Sequence, residues 1–407
     1  MTTSYAQAAT MAAISAILKE KWITDTIQMQ YARNRVLTAL LEKSTKEVDG
    51  LKSVFTMRLR PNTSTGARGE MGDLPNPGRQ TTQKVEIPLR YWYTAVAFTG
   101  QSIAASRNSA TALAKVITDE LENGVEDHKR VENAFMFGDG SGVLSTIAAV
   151  DAVPKTITVN RWHSLFTEGR KLQTDAQKDG LAGGGMAANE ITAVNRAEKT
   201  ITFASAITGA AQNDYIFLEG TVANAGMGLM GICDDGEYVS TFQSLVRANV
   251  SQAKAKVFRA AAPRNISEDL LMDVIARMRE DGAAPDLIVG TSFQLKDLCS
   301  EAKQDRQFID PKTGYDLGIS GIKIGDGTDF TFDVDNPAGF CFPMTKKKIV
   351  ISESAKLGFM DKDGNVLCRI AGKDAYEATL FHYYNLIAMS CFDQARIDDL
   401  NENRAGD

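Results

Sequence analysis

Three glycines in five residues, Gly138, Gly140 and Gly142 of "FMFGDGSGV", are the first candidates for chemistry, because glycine-rich turns can cradle phosphate on backbone N–H groups. A phosphate loop needs a strand before the glycines, a GxxxxGK[ST] spacing and a helix after them. Here a helical pattern comes first, no lysine follows, and "VLSTIAAV" does not read as an opening helix. The glycines fit instead the left-handed cap and turn that end a long helix. The three histidines, His128, His163 and His382, stand at no metal-ligand spacing, so a histidine-based site would have to be assembled from distant segments. The five cysteines, Cys233, Cys299, Cys341, Cys368 and Cys391, form no CxxC pair and are odd in number. They signal neither zinc site nor disulfide framework and read as reduced and mostly buried. In "DKDGN" at 361–365 the glycine is fourth, where an EF-hand loop has it sixth, and the twelfth position is Gly372 instead of Glu. That stretch reads as a hairpin turn. The adjacent acids Asp234–Asp235 and Asp398–Asp399 read as solvated turns, and there is no GxSxG elbow or HExxH helix. No catalytic residue, cofactor or metal ligand is assigned.

The glycines sit at the end of the clearest element. Residues Asn108 to Phe137 place Leu113, Ile117, Leu121, Val125, His128, Val131 and Phe135 on one helical stripe, with Lys115, Asp119, Glu122, Glu126, Lys129 and Glu132 elsewhere. At 1.5 Å per residue this is a helix of roughly 45 Å, and His128 on its stripe reads as a packed core histidine. Ahead of it, residues 3–43 read as a helical arm with an apolar stripe at Ile27, Tyr31, Val36 and Leu40. Between arm and helix the period falls to two in "VFTMRLR" and "KVEIPLRYWYTAVAF", separated by more than twenty residues dense in Gly, Pro, Asn and Thr. The pattern predicts a long protruding hairpin whose tip holds Arg68, Glu70, Asp73 and Arg79. Such a loop either lies on another surface or is simply solvated.

Residues 151–222 carry short β-type runs, "KTITVN", "NEITAVN", "KTITFAS" and "DYIFLEG", and predict a small all-β unit inserted into another domain. Within it Trp162, His163 and Phe166 read as a packed aromatic cluster. Residues 223–344 alternate helix and strand, with "SEDLLMDVIARMRED" opened by a Ser267 cap, and the stretch from 345 returns to β, closing on the segment around the long helix.

The totals set the limits. At 407 residues the chain predicts two or three packed units, and 43% hydrophobic with 24% charged residues is ordinary for folded protein. No stretch of about 18 uncharged apolar residues occurs, and the N-terminus lacks a secretion signal, so a cytoplasmic start and no membrane are expected. The net charge of −6 argues against a dedicated nucleic-acid binder. The charge is uneven, however: residues 1–60 hold nine Lys/Arg against five Asp/Glu, which places the N-terminal end nearer any polyanion or marks a solvated helix surface.

An arm "LKEKWITDTIQMQYARNRVLTALLEKS", a loop "VFTMRLRPNTSTGARGEMGDLPNPGRQ", a long helix ending in "NAFMFGDGSG", then "GLMGICDDG" and "SEDLLMDVIARMRED", form an order that resembles the major capsid proteins of tailed bacteriophages, with the Hong Kong 97-type fold. The resemblance spans nearly the whole chain except 151–222, and rests on the ordering more than on any one motif. It implies an α+β architecture with an N-terminal arm (1–49), extended loop (50–99), peripheral domain with its spine helix (100–150), inserted β domain (151–222), axial domain (223–344) and return strands with a tail (345–407). It implies a structural protein and no enzyme, self-assembling into pentamers and hexamers of an icosahedral head around double-stranded DNA contacted non-specifically. A separate scaffolding protein and a portal are expected partners, with a decoration protein left open. The location implied is the virion capsid, assembled in the host bacterial cytoplasm. The tip 61–83 contains no lysine, so a shell held without isopeptide cross-links is expected. An encapsulin-like compartment and an α/β enzyme with an unrecognised site are the alternatives.

Overall fold

Alternating burial along two strands builds the hairpin. The computed structural model describes residues 45–47, 52–101, 110–151, 155–302, 322–324, 327–361 and 366–402. The arm at 3–43 and the turn residues 362–365 lie outside the described residues, as do the side chains of Leu113 and Ile117. After β1 (Thr45–Glu47), strands β2 (Lys52–Arg60) and β3 (Thr81–Pro88) pair antiparallel from Lys52↔Pro88 to Arg60↔Thr81. Val85 and Ile87 bury the base of the hairpin, whereas the outer half of β3 is exposed and that of β2 alternates between exposed and half-buried residues. Strand β4 (Arg90–Thr99) then leads to helix α1 (Ala110–Met136), whose 27 residues make it about 40 Å long. Phe135 is buried on it, and Leu121 and Val125 are half-buried. The helix stops where the glycines begin. Gly138 N donates to Phe135 O (2.9 Å), and Gly140 and Gly142 take φ of 86° and 88°. A Cβ on Gly142 would also stand 2.5 Å from Thr221 O, so side chains are excluded twice over.

The turn delivers the chain into a closed barrel. Strands β5 (Val143–Asp151), β6 (Thr156–Val159), β7 (Lys171–Asp175), β8 (Asn189–Asn195), β9 (Thr200–Phe203) and β10 (Tyr215–Leu218) follow the order β10-β5-β6-β9-β8-β7 around it. Ile147, Ile157, Leu172, Ile191, Ile201 and Ile216 are among the residues that fill it, and closure leaves no unpaired edge. The first strand begins eight residues before the boundary read from the sequence, because the alternation of "VLSTIAAV" starts directly after the glycines. Trp162 and Phe166 pack edge-on at 5.6 Å beside His163. Burial, with Arg161, Arg170 and Arg130 nearby, pushes the His163 pKa down to about 3, so that ring is a neutral packing group.

Beyond the barrel come a short helix α2 (Leu229–Ile232), strands β11 (Thr241–Phe242), β12 (Leu245–Val246) and β13 (Lys256–Phe258), helix α3 (Glu268–Glu280), β14 (Leu287–Gly290), helix α4 (Ser292–Ala302), β15 (Ile322–Ile324), β16 (Thr328–Phe332) and β17 (Phe342–Met344). Ser267 caps α3 by accepting from Leu270 N (3.2 Å), with Glu268 and Asp269 in the first turn and Arg277 and Arg279 in the last. The sheet order is β15-β16-β14-β17, with β14 and β16 parallel. The return strands β18 (Ile349–Phe359), β19 (Cys368–Arg369) and β20 (Ala375–Ala388) then form a second sheet in which β20 lies between β18 and β4, and β1 runs parallel to β18. Helix α1 packs on this sheet through Trp92 and Phe135, 5.1 Å apart.

Residues 395–402, placed with the return strands and tail in the sequence division, touch the α/β unit: β21 (Ala395–Ile397) pairs parallel with β13, and Ile397 and Leu400 are buried with Leu271 and Ile275 of α3.

Candidate assembly interface

The hairpin tip, residues 61–80, is the least covered described part of the chain. Its four expected charged residues do not pair with one another. Arg68 Nε donates to the backbone oxygen of Asp73 (2.9 Å), which curls the tip, and among the described residues Arg68, Glu70, Asp73 and Arg79 form no ion pair. Two apolar residues the sequence reading passed over stand out: Met71 is 101% exposed and Leu74 is 87% exposed. Met71 also takes φ of 62°, which holds it at the apex of the turn. The signal was in the sequence, since a large apolar residue in a run of Gly, Thr, Asn and charge has nothing local to pack on.

The strand next to the hairpin shows the same division between faces. On β4, Trp92 and Thr94 point toward α1, and Tyr91 and Tyr93 are exposed. Tyr383 of β20 packs against both tyrosines at 4.9 and 5.8 Å, with Phe381 at 5.2 Å, giving an aromatic outer face. The Tyr93 hydroxyl hydrogen-bonds that of Tyr383 (3.1 Å), and this contact pushes the Tyr383 pKa up to about 12. Asn385 anchors the hairpin base: its Nδ2 donates to Pro88 O (2.8 Å) and its Oδ1 accepts from Met227 N (3.0 Å).

Inside the molecule one acid of each pair, Asp234 and Asp398, departs from the solvated turn expected, whereas Asp399 stays exposed. Asp234 is 0% exposed, not on a solvated turn, and its Oδ2 accepts from Gly236 N, Tyr238 N and Val239 N at 3.0–3.1 Å. Arg247 Nη1 donates to the same oxygen at 3.0 Å and Arg396 Nη1 to Oδ1 at 3.3 Å. Arg396 in turn holds Asp398 at 2.6 and 3.1 Å, and Arg259 grips Asp235 at 2.8 and 3.1 Å. Burial raises the Asp398 pKa against the pull of Arg396, whereas Arg259 lowers that of Asp235. Asp234, Asp235 and Glu237 bring carboxylate oxygens close enough for a cation, but the lone pairs of Asp234 are already taken by two guanidiniums and three amides. The network ties α2, β13 and β21 together. It is structural.

A second buried cluster lies where α1 meets β4 and β20. Glu132, placed by helical periodicity among the charged residues off the stripe, is 2% exposed. Its Oε1 takes His128 Nε2 at 3.2 Å and His382 Nδ1 at 2.5 Å. The outer nitrogens are engaged too: His128 Nδ1 lies 2.8 Å from Thr94 Oγ1, and His382 Nε2 lies 3.3 Å from Glu353 Oε2. Burial pushes Glu132 up, yet the two imidazoles outweigh it and leave the carboxyl below its usual range. For His382 burial works downward and is outweighed by Glu132 and then Glu353, so its pKa is raised. His128 is buried as expected, but as part of a polar cluster and not as a lone core residue.

No family model matches the sequence, and no curated protein matches it. Solved structures do. A chain of the cyanophage A-1(L) capsid asymmetric unit superposes with a TM-score of 0.62 at 11% identity, covering 96% of this chain and 98% of that one. The capsid of a native GTA particle follows with a TM-score of 0.51 at 10% identity over 96% and 98%. Among the described residues no helix is long and apolar enough to cross a membrane. The chain therefore has the fold of phage-type capsid proteins, as the order of its sequence elements implies.

Proposed function

We propose that this chain is the major capsid protein of a tailed phage, assembling into pentamers and hexamers of an icosahedral head that encloses double-stranded DNA. The observation that carries the reading is a hairpin with an unpartnered, apolar-tipped end, set in a fold shared with a cyanophage capsid chain. In a closed symmetric array the tip residues Met71 and Leu74 and the aromatic face at Tyr91, Tyr93 and Tyr383 are covered by neighbouring copies. Each contact is weak, and repetition around rings and between them makes the shell cooperative.

In this reading 50–99 is the extended loop, α1 is the spine helix of a peripheral domain completed by β18–β20, and the α/β unit, with residues 395–402, is the axial domain. The barrel is an insertion. DNA is held by confinement and counterions, so an acidic chain suffices, and a scaffold, a portal and any decoration protein are separate chains. The shell is held without covalent cross-links, since the tip 61–83 carries no lysine and Lys84 sits only at the hairpin base.

Electron microscopy of the purified protein tests this directly. Closed shells that protect double-stranded DNA from nuclease in the native particle support the reading. Shells holding only protein cargo would turn it toward an encapsulin-like compartment, and a monodisperse monomer at high concentration would end it. Boiling particles in detergent should release single chains, and a ladder of covalent oligomers would refute the noncovalent shell.

A further inference from the structure

We propose that His128, Glu132 and His382 form a binding site for one divalent transition-metal ion, zinc foremost, with Thr94 and Glu353 holding the two imidazoles from outside. The chain has only three histidines, and the fold brings two of them, 254 positions apart, to the same carboxylate oxygen. One ligand atom from each of the three residues lies within 4.8 Å of the others, and all three side chains are buried. His128 and Glu132 stand four apart on α1, a spacing that puts both on one helix face.

Two features point to a metal beyond mere proximity. Metal-bound histidines nearly always have the other ring nitrogen held by a carboxylate or another oxygen, which fixes the tautomer and aims the ligand nitrogen. Both rings satisfy this: Thr94 Oγ1 holds His128 Nδ1 and a Glu353 oxygen holds His382 Nε2, leaving His128 Nε2 and His382 Nδ1 aimed at Glu132. The second feature is charge. Glu132 and Glu353 are both buried, and among the described residues neither pairs with Lys or Arg. A divalent cation would take the place of the ring protons that lie between these ligand atoms and balance the two carboxylates, while taking two nitrogens and one oxygen. That donor set suits zinc and its first-row neighbours.

The distances need little adjustment. Ligand atoms around tetrahedral zinc stand about 3.3 Å apart, given metal–ligand bonds near 2.0 Å. The His128–Glu132 separation is already 3.2 Å, and a small turn of the Glu132 carboxylate opens the 2.5 Å contact to His382. A cavity of about 340 Å³ lined by Trp92, Thr94, His128 and Val131 reaches the His128 side of the cluster. An ion here would fasten α1 to β4 and to the sheet of β18 and β20.

Purified full-length protein, stripped with chelator and then equilibrated with zinc sulfate, is expected to retain one zinc per chain after desalting. Its melting temperature is expected to rise by about 3 °C at a hundredfold excess over Kd, and to fall back on adding chelator. Cobalt in place of zinc should give the visible absorption of a tetrahedral N/O site. His382→Ala should abolish retention. Because that substitution opens a buried junction, Thr94→Val provides a gentler arm: all three ligands remain, the protein stays folded, and zinc affinity falls roughly 10- to 100-fold. Folded wild type that retains neither zinc nor cobalt overturns the proposal, leaving the cluster bridged by protons alone. Retention undiminished by both substitutions would also overturn it, by placing the metal elsewhere.

Discussion

The hairpin tip and the Asp234 junction are built from similar residues and end in opposite states. "STGARGEMGDLPNPGR" and "CDDGEY" are both turn-forming, glycine-bearing and charged. In the first, Met71 and Leu74 stand in solvent and the four charged side chains find no ion-pair partner among the described residues. In the second, Asp234 is wholly buried and partnered by Arg396 from 162 positions away. What separates them is where the partner resides: the junction is completed within one chain, whereas in the function proposed above the tip is completed by another copy. Stability should therefore reside at the junction and assembly at the tip.

Deleting residues 64–80 attacks the comparison hardest. The hairpin base is held by Val85, Ile87 and the Asn385 bond to Pro88, none of which the deletion touches. The shortened chain is expected to remain soluble with an unchanged melting temperature and to form no closed shells by electron microscopy. Normal shells from this variant would break the assignment of assembly to the tip.

Asp234→Asn comes next and acts on the opposite side. It leaves Arg247 and Arg396 as buried guanidiniums short of a counter-charge, and breaking such a pair costs about 3–5 kcal/mol. The loss should appear in the unfolding midpoint of the unassembled subunit. A variant with wild-type denaturation would show that the junction is not a stability centre.

Much of this architecture was legible in the sequence. The period-two runs marked both hairpin strands, the 3.6 period marked α1 to within two residues, and Ser267 marked the start of α3. These are local signals, fixed by which face of an element meets apolar neighbours. The polar interior was not legible. Asp234 and Asp398 read as solvated acids, and Glu132 as a charge off the stripe, because a buried carboxylate is recognised only by its partners: Arg247 just after β12, Arg396 of β21, His382 of β20 and His128 of α1. Glu132 shows how the pattern fails: it sits beside the stripe at a position that surface helices give to charge, and here β20 covers that position with His382. The pairing of residues 395–397 with β13 was not legible for a related reason, since three-residue β21 carries too little pattern to show which strand it joins.

A double substitution, Met71→Ser with Leu74→Ser, sharpens the comparison at smaller scale. Covering a large apolar side chain is worth roughly 1.5–3 kcal/mol, and each factor of ten in association is about 1.4 kcal/mol. The protein concentration needed for shell formation should rise at least tenfold, as read by light scattering, with no change in the melting temperature of the free subunit. A fall in that temperature would mean that the tip packs on its own chain.

The smallest expected effect calibrates the others. Ser267→Ala removes the oxygen that accepts from Leu270 N at the start of α3, a loss of about 1 kcal/mol for an N-cap. In a chain of this size that lowers the melting temperature by about 1 °C. The cap is internal to one subunit, so the concentration threshold for shells should stay where it is. The two serine experiments then form a pair: one moves assembly without stability, and the other moves stability without assembly. If Ser267→Ala shifted the threshold as much as the tip substitutions do, assembly would be reporting the stability of the subunit, and the division between tip and interior would collapse.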